Sequence, residues 1–334
     1  MKKLNSNAQK LDSHLNSLYL NFSNFLKKNI KKSNFAIGVS GGPDSMCLAY
    51  LSKLYSDANK NKFHSLIVDH GVRKNSTTEA LKVKKELTKY KILSTIFKIK
   101  FNDKKNFHSE ARDKRYDVMA NFCKKKRLKY LVLAHHRDDQ IENFYIRLSR
   151  GSGLAGLSPI KDRTKYKNVE FLRPFLNYGK QDLLKVAKSK FKFYVKDPSN
   201  FDDKYLRSRV RKLKNYLELE GLDHSRLLKT LNNLSSARDA LDFYAKKAEK
   251  NFFKYNNKAI KVSKVLFKEP HEIIFRSLTN FLIRKQKYPP RAKGIERLIF
   301  DLSQNNKKKV TLAGYIFQND HKFVTVTKEI RKKG

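Results

Sequence analysis

The feature that most constrains the fold is a regular alternation along the first half of the chain. Short apolar runs alternate with longer stretches whose apolar residues recur at helical spacing. This rhythm is typical of βα units, in which parallel strands are covered by helices. We therefore predict an α/β fold with a doubly wound, mostly parallel sheet. Its strands are expected at Phe35–Val39, Phe63–Val68, Ser94–Ile99 and Tyr130–Ala134.

Polar loops follow three of these predicted strands. SGGPDS (40–45) follows the first strand, DHGVRKNST (69–77) the second and HHRDDQIEN (135–143) the fourth. Ligands of open parallel sheets bind beyond the carboxyl ends of the strands. We therefore expect the three loops to form one site.

The first loop has the composition of a phosphate-binding turn. Backbone N–H groups at Gly41 and Gly42 can surround an anion, the helix that starts near Asp44 adds its positive end, and Ser40 and Ser45 offer hydroxyl donors. The spacing and lysine of the Walker A motif are missing, which disfavours that class of kinase or GTPase. The structural alternative is an ordinary strand-to-helix turn.

The charge of the chain predicts a polyanionic partner. Lys and Arg number 75 against 31 Asp and Glu, which gives a formal net charge of +44. Such an excess repels itself unless a polyanion is near, and nucleic acid is the usual one. The alternative is a lysine-rich composition without a specific partner. Cys47 and Cys123 have no metal-binding spacing, so we expect a reducing compartment and no disulfide. With no secretory or membrane segment apparent, we expect a soluble, cytoplasmic protein.

Several blocks resemble a known family. SGGPDS is similar to the SGGxDS signature of the N-type ATP pyrophosphatases, or PP-loop enzymes, which cleave ATP between the α and β phosphates. Over residues 30–215 the chain resembles the tRNA(Ile)-lysidine synthetases, and the HHxDDQxE block with RGSGLxGL is the most specific part. The similar blocks are VDHGVRKNSTTEA (68–80), EARDKRYDVM (110–119), LAHHRDDQIENFYIRLSRGSGLAGL (133–157), LRPFL (172–176) and DPSNFDDKYLRSRVR (197–211).

The resemblance implies a fold and a reaction. The fold is that of the PP-loop, adenine nucleotide α-hydrolase-like enzymes. The reaction is ATP-dependent ligation of free L-lysine to C2 of the wobble cytidine in the CAU anticodon of tRNA(Ile), through an adenylated cytidine, with release of AMP and pyrophosphate. A PP-loop tRNA thiolase and a non-catalytic basic RNA-binding protein are the alternatives. The thiolase would call for further cysteines, and the binding protein leaves the three strand-end motifs unexplained.

The same resemblance assigns site residues. ATP binding falls on Ser40, Gly41, Gly42, Pro43, Asp44, Ser45, Asp69 and His70, with Asp44 as a candidate Mg²⁺ ligand. Catalysis falls on Asp44, Asp138, Asp139 and Glu142. The last three can bind the cationic lysine or hold Mg²⁺, and helix capping is an alternative role for Asp138 and Asp139. A zinc site is disfavoured because no third imidazole or thiolate stands at ligand spacing.

Contacts to tRNA are expected from arginines rather than from the lysine excess, because the guanidinium matches phosphate and stacks on bases. Two residues depart from the family pattern: Asn143 stands in place of threonine and Ser208 in place of asparagine. These departures bear on the geometry of the lysine and RNA contacts, not on the reaction class. The predicted RNA- and substrate-binding residues are His135, Arg112, Arg115, Arg150, Arg207, Arg209 and Arg211.

The second half of the chain carries less information. We predict a catalytic domain over 1–215, a helical connector over 216–251 and a small α+β domain over 252–334 that docks tRNA. Within the last domain, apolar alternation predicts two β-runs, Lys309–Phe317 and Phe323–Thr327, that form a hairpin. Both a monomer and a homodimer are compatible with the sequence.

Overall fold

The structure is a computed structural model that describes residues 13–71, 75–99, 107–195, 206–256, 259–284, 290–304 and 308–329. The chain divides into two compact units, Met1–Leu228 and Lys229–Gly334. The predicted domain limits at 215 and 251 stay predictions. Among the described residues, no helix combines the length and the apolar character needed to cross a membrane.

The first unit is built on a six-stranded sheet with strand order β3-β2-β1-β4-β6-β5. Strands β1, β2, β3, β4 and β6 run parallel, and β5 pairs antiparallel with β6 at the edge. The predicted doubly wound, mostly parallel sheet is therefore confirmed. The strands are β1 Phe35–Val39, β2 Phe63–Asp69, β3 Ser94–Lys98, β4 Tyr130–Val132, β5 Arg163–Tyr166 and β6 Val169–Leu172.

Helices cover both faces of this sheet. Their bounds in the first unit are α1 Ser13–Ile30, α2 Pro43–Asn59, α3 Ser76–Lys89, α4 Phe107–Lys125, α5 Arg137–Leu148, α6 Leu154–Leu157, α7 Lys180–Lys190 and α8 Leu206–Leu219. One apolar cluster joins Phe22, Ile37 and Leu48. A second cluster on the other face joins Met119, Leu131 and Phe171. Each fully buried side chain of this size stabilises the fold by roughly 1.5–3 kcal/mol, so the two clusters fix the sheet that carries the loops.

Helix α9, His224–Phe252, leads into the second unit. Arg238 on this helix is buried and donates to the Ser235 hydroxyl at 3.1 Å. The later elements are β7 Phe253–Tyr255, β8 Ile260–Ser263, a 3₁₀ helix Lys264–Lys268, α10 His271–Ile283, α11 Ala292–Ser303, β9 Lys309–Leu312, β10 Tyr315–Asn319 and β11 Phe323–Lys328.

The second unit contains a five-stranded sheet with the order β7-β8-β11-β10-β9. The predicted strand Lys309–Phe317 is wrong as a single strand, because the chain reverses at Ala313 and Gly314. Both residues have positive φ, +57° and +73°, as in the tight hairpin turns whose twist matches that of their strands. A hairpin that includes the predicted run Phe323–Thr327 is present, and its observed strands are Tyr315–Asn319 and Phe323–Lys328.

Candidate active site

The loop between β1 and α2 is closed by one serine side chain. The Ser45 hydroxyl accepts hydrogen bonds from the N–H groups of Ser40 at 3.2 Å and Gly41 at 3.1 Å, and donates to the Gly42 carbonyl at 2.9 Å. Gly41 has a φ of +86°, which L side chains rarely adopt. The Gly41 N–H, which we expected to face an anion, is therefore bound by Ser45 in this structure.

The start of helix α2 points its positive end at the same edge of the sheet. Gly42 is the N-cap, Pro43 follows at the first position, and no side chain accepts a hydrogen bond at this cap. The first N–H groups of a helix have no partner within the helix, which makes such an end suited to phosphate. Asp44 lies in the first turn, and its Oδ1 atom is buried without a hydrogen-bond partner.

His136 lies among three carboxylates from two loops. Its Nε2 atom is 3.5 Å from Oδ2 of Asp44 and 3.5 Å from Oδ2 of Asp139, and its Nδ1 atom is 3.7 Å from Oδ2 of Asp138. Burial alone would lower the pKa of His136, but the hydrogen bond to Asp44 and the charges of the three acids outweigh it and raise the pKa. The first and third loops thus meet at this imidazole, as the parallel sheet predicts.

The two adjacent aspartates of helix α5 have different partners. The Asp139 carboxylate accepts the N–H of His136 at 3.1 Å and so caps the helix. Asp138 accepts the N–H of Lys180 at 2.8 Å through Oδ2, and its Oδ1 pairs with the ammonium of Lys214. Burial would raise the pKa of Asp138, but Lys214 and the Lys180 N–H lower it to about 2. Both carboxylates are held in place by the surrounding fold.

Glu142 faces the two arginines of helix α8. It is 2% exposed, and its oxygens lie 2.6 Å from Nε of Arg211 and 3.2 Å from Nε of Arg207. Arg207 also reaches Asp139 at 3.8 Å. The structure thus pairs two predicted RNA-binding arginines with two predicted catalytic acids.

His135 lies within electrostatic reach of Asp139 and of three arginines. Burial and the positive charges of Arg173, Arg112 and Arg115 lower the pKa of His135, and the charge of Asp139 offsets this only in part. The guanidinium groups of Arg112 and Arg115 lie 5.3 Å and 5.6 Å from the ring centre of Tyr116. His135 is therefore neutral, and the cations around it form an anion-attracting surface next to the carboxylates.

The remaining predicted site residues lie farther from this cluster or have structural partners. Asp69 is buried and accepts the Gly71 N–H at 2.9 Å and the Thr77 hydroxyl at 2.6 Å, so the strand-ending turn uses both of its oxygens. His70 follows it at the end of β2 and is half-buried. Arg150 and Arg209 are exposed, Asn143 is half-buried and Ser208 is buried. Residues 72–74 and 196–205, which carry parts of two family-like blocks, lie outside the described residues.

Sequence reasoning missed three residues that the structure places in or beside the cluster: His136, Arg173 and Lys214. His136 and Arg173 stand inside blocks quoted above, so a closer reading of HHRDDQ and LRPFL could have found them. Lys214 gives no local signal, because its pairing with Asp138 joins residues 76 positions apart.

Comparison with known proteins agrees with this geometry. The model of the PP-loop domain family matches residues 12–216. A tRNA(Ile)-lysidine synthase of Wolbachia pipientis wMel is 32% identical over 308 residues, which span 89% of this chain and 71% of the relative. The chain belongs to the tRNA(Ile)-lysidine synthase family.

Two further comparisons concern the extent of the match and the fold. A tRNA(Ile)-lysidine synthase of Orientia tsutsugamushi (strain Boryong) is 40% identical over 179 residues, or 53% of this chain and 40% of the relative, so the match spans less than half of that protein. The U34-tRNA thiolase NcsA of Methanococcus maripaludis superposes with a TM-score of 0.57 at 20% identity, covering 67% of this chain and 78% of that one. This second likeness is one of fold.

Proposed function

We propose that the chain is an ATP-dependent ligase that joins free L-lysine to C2 of the wobble cytidine in the CAU anticodon of tRNA(Ile). The observation that carries this proposal is the meeting of the SGGPDS loop and the HHRDDQ loop at one sheet edge, in a chain of the lysidine synthase family. The reaction is inferred from family membership. The phosphate-binding loop and the acidic side chains that the reaction needs lie close together at this edge of the sheet.

The proposed reaction has two steps. The C2 oxygen of the cytidine attacks the α-phosphorus of ATP, and the bond to pyrophosphate breaks, so C2 now carries a good leaving group. The side-chain amine of lysine then attacks C2, the C2–O bond breaks, AMP departs with that oxygen, and the nitrogen loses a proton. Because the unperturbed pKa of this amine is about 10.4, a nearby carboxylate must take up the proton.

In this proposal the phosphates of ATP lie at the SGGPDS loop and the start of helix α2. Mg²⁺ suits the site, because the Oδ1 atom of Asp44 is buried without a hydrogen-bond partner. Among the described residues, no group of three or more His, Cys, Asp or Glu side chains could hold a metal ion. Mg²⁺ is usually bound by one or two carboxylates together with substrate phosphates. When bound, Mg²⁺ would offset negative charge on the phosphates.

The acids of helix α5 are not equally open to a substrate lysine. Glu142 is paired with Arg207 and Arg211, and Asp138 with Lys214. Asp139 has more distant cationic partners, His136 at 3.5 Å and Arg207 at 3.8 Å. We therefore assign Asp139 to the lysine amine. The raised pKa of His136 favours its cationic form, which suits a partner for carboxylates and phosphate better than a proton acceptor.

The tRNA would contact the arginines around His135 and helix α8, and the target cytidine must leave its stack in the anticodon loop to reach the acids. We propose that the segment 252–334 docks tRNA, that 216–251 connects it to the catalytic domain over 1–215, and that the protein works in the cytoplasm. The formal net charge of +44 supports a polyanionic substrate.

The thiolase alternative is less well supported. Both cysteines of the chain are buried, Cys47 in one apolar cluster of the first unit and Cys123 in the other. Burial raises the pKa of Cys47 well above its usual value and that of Cys123 to about 12. Sulfur chemistry needs an accessible thiolate, and these thiols are neither accessible nor ionised.

The test is incorporation of radiolabelled lysine into an unmodified tRNA(Ile) transcript with a CAU anticodon, with a tRNA(Met) transcript as the control. We expect label in the first transcript alone, and only with ATP. Asp44→Asn should lower the rate by about 10²–10³-fold, because the neutral amide would hold Mg²⁺ less well where negative charge develops on the phosphates. Asp57→Asn is the matched control: this acid lies on the same helix, 58% exposed and paired with Lys53. Absence of label from wild-type protein that binds tRNA and ATP would contradict the proposal.

A further inference from the structure

Helix α9 carries two exposed aromatic side chains at successive positions. Phe243 is 63% exposed and Tyr244 is 56% exposed, with ring centres 5.4 Å apart and an interplanar angle of 84°. Ala245 and Ala248, which follow on the same helix, are buried. Single exposed apolar side chains are common, but a contiguous aromatic pair is typical of an interaction surface.

Lysines surround this pair. Lys246, Lys247 and Lys250 are all exposed, and helical spacing of three, four and seven residues places them beside Phe243. The acids on the preceding turn have partners of their own. Asp239 lies 3.6 Å from Arg238, and Asp242 accepts from Arg276 at 2.7 Å. The surface around the two rings is therefore positively charged. We call these five residues, Phe243, Tyr244, Lys246, Lys247 and Lys250, the α9 face.

We propose that the α9 face binds an unpaired stretch of RNA, with bases stacked on Phe243 and Tyr244 and phosphates on the lysines. Aromatic side chains next to cations are the usual platform for single-stranded nucleic acid, whereas the bases of a duplex are already stacked on one another. A second copy of the chain fits less well, because an isologous contact would bring the same lysines together. This inference rests on the proposed function, in which tRNA supplies the RNA.

The experiment measures binding of the full chain to a tRNA(Ile) transcript by fluorescence anisotropy over a range of salt concentrations. The double variant Phe243→Ala/Tyr244→Ala should bind about 10-fold more weakly, with an unchanged salt slope, because stacking releases no counterions. Lys246→Gln/Lys247→Gln should instead reduce the salt slope by about 1.4, at ~0.7 for each phosphate contact to a single strand.

Phe300→Ala is the matched control, since Phe300 is 58% exposed on α11 and lies outside the α9 face. Alanine favours helix, so circular dichroism and the Tm of the double variant should match those of wild type. Sedimentation compares the oligomeric state of wild type and the double variant.

Three outcomes would overturn the inference: unchanged affinity in the aromatic double variant, an equal loss in Phe300→Ala, or a change in self-association instead of RNA binding. A wild-type protein that binds no RNA overturns it as well. Failure of the proposed function is separate. If the protein binds RNA through the α9 face but incorporates no lysine, only the proposed ligase activity is contradicted. If it incorporates lysine but its tRNA affinity is unchanged by substitution of Phe243 and Tyr244, only this inference is contradicted.

Discussion

Glu249 in the second unit and Asp44 in the first differ in the partners of their carboxylate oxygens. In the second unit, Glu249 is 4% exposed and is bound by the Tyr255 hydroxyl at 2.5 Å and by Arg284 at 2.6 Å. In the first unit, at the edge where the loops meet, the Oδ1 atom of Asp44 and the Nδ1 atom of His136 are buried without a hydrogen-bond partner. Buried polar groups are normally bonded. The comparison indicates that the acid of the second unit serves folding, whereas the acid at the loop edge is kept for a ligand.

The SGGPDS loop of the first unit is tightly packed against the residues behind it. A Cβ atom added at Gly41 would lie 2.5 Å from Val83 Cγ2 and 2.9 Å from Val195 Cγ2, and the residue has a φ of +86°. The Gly41 carbonyl also accepts the N–H of Val195 at 2.9 Å. Helix α3 and the segment after α7 thus hold the loop from behind, so its geometry does not depend on a ligand.

The largest effect on stability is expected from Gly41→Ala. Overpacking and a left-handed backbone together should lower the free energy of unfolding by about 3 kcal/mol, as measured by urea denaturation. Gly42→Ala is the control one residue away: its φ is −68° and its nearest neighbour is 3.7 Å away. Because glycine is preferred to alanine at an N-cap, we expect its unfolding free energy to fall by at most about 1 kcal/mol. Equal effects of the two variants would show that Val83 and Val195 are not packed against Gly41 as described.

A second test concerns the charge that holds Asp138. Lys214→Met removes its ammonium partner and should lower the free energy of unfolding at pH 7 by about 2 kcal/mol. The folded chain holds the pKa of Asp138 at about 2, below its ordinary value of 3.8. The ionised carboxylate therefore stabilises the fold above pH ~4, and this contribution is lost as the pH falls towards 2.

The difference between wild type and Lys214→Met should accordingly be constant above pH ~5 and shrink between about pH 4 and 2. Urea denaturation across this range measures it. Lys212→Met, at an exposed lysine of the same helix, is the control and should show no such pH dependence. A difference that persists unchanged at pH 2 would mean that packing of the Lys214 stem, not its charge, is what is lost.

Local patterns could predict the sheet and the position of the site. The four strands followed by long helices have continuous apolar runs, and the loops after three of them are marked by Gly, Asp and His. Strand β5 could not be found in this way, because its four residues, RTKY, alternate between exposed and half-buried positions at the sheet edge. The turn at Ala313–Gly314 was missed because alanine is uncommon at positive φ and gives no turn signal.

The partners of the site residues could not be predicted for a different reason. The pairing of Asp138 with Lys214 and of Glu142 with Arg211 joins helices that are distant in sequence, and it depends on how α8 lies against α5. Sequence showed that these acids gather at one edge. It could not show that Glu142 and Asp138 are already paired with cations. The acid that receives the lysine amine could therefore not be assigned from the sequence.

The smallest effect on stability is expected from a substitution at Glu249 in the second unit. Glu249→Gln keeps the shape of the side chain and an acceptor for Tyr255, but loses the charge that faces Arg284. Because Arg284 is 54% exposed, it can turn to water, so the free energy of unfolding should fall by only about 1 kcal/mol. The ligation rate should be unchanged, whereas Asp44→Asn should lose activity and keep its stability. Measuring both quantities in both variants tests the distinction directly: loss of activity in Glu249→Gln at unchanged stability would mean that this network serves the reaction too.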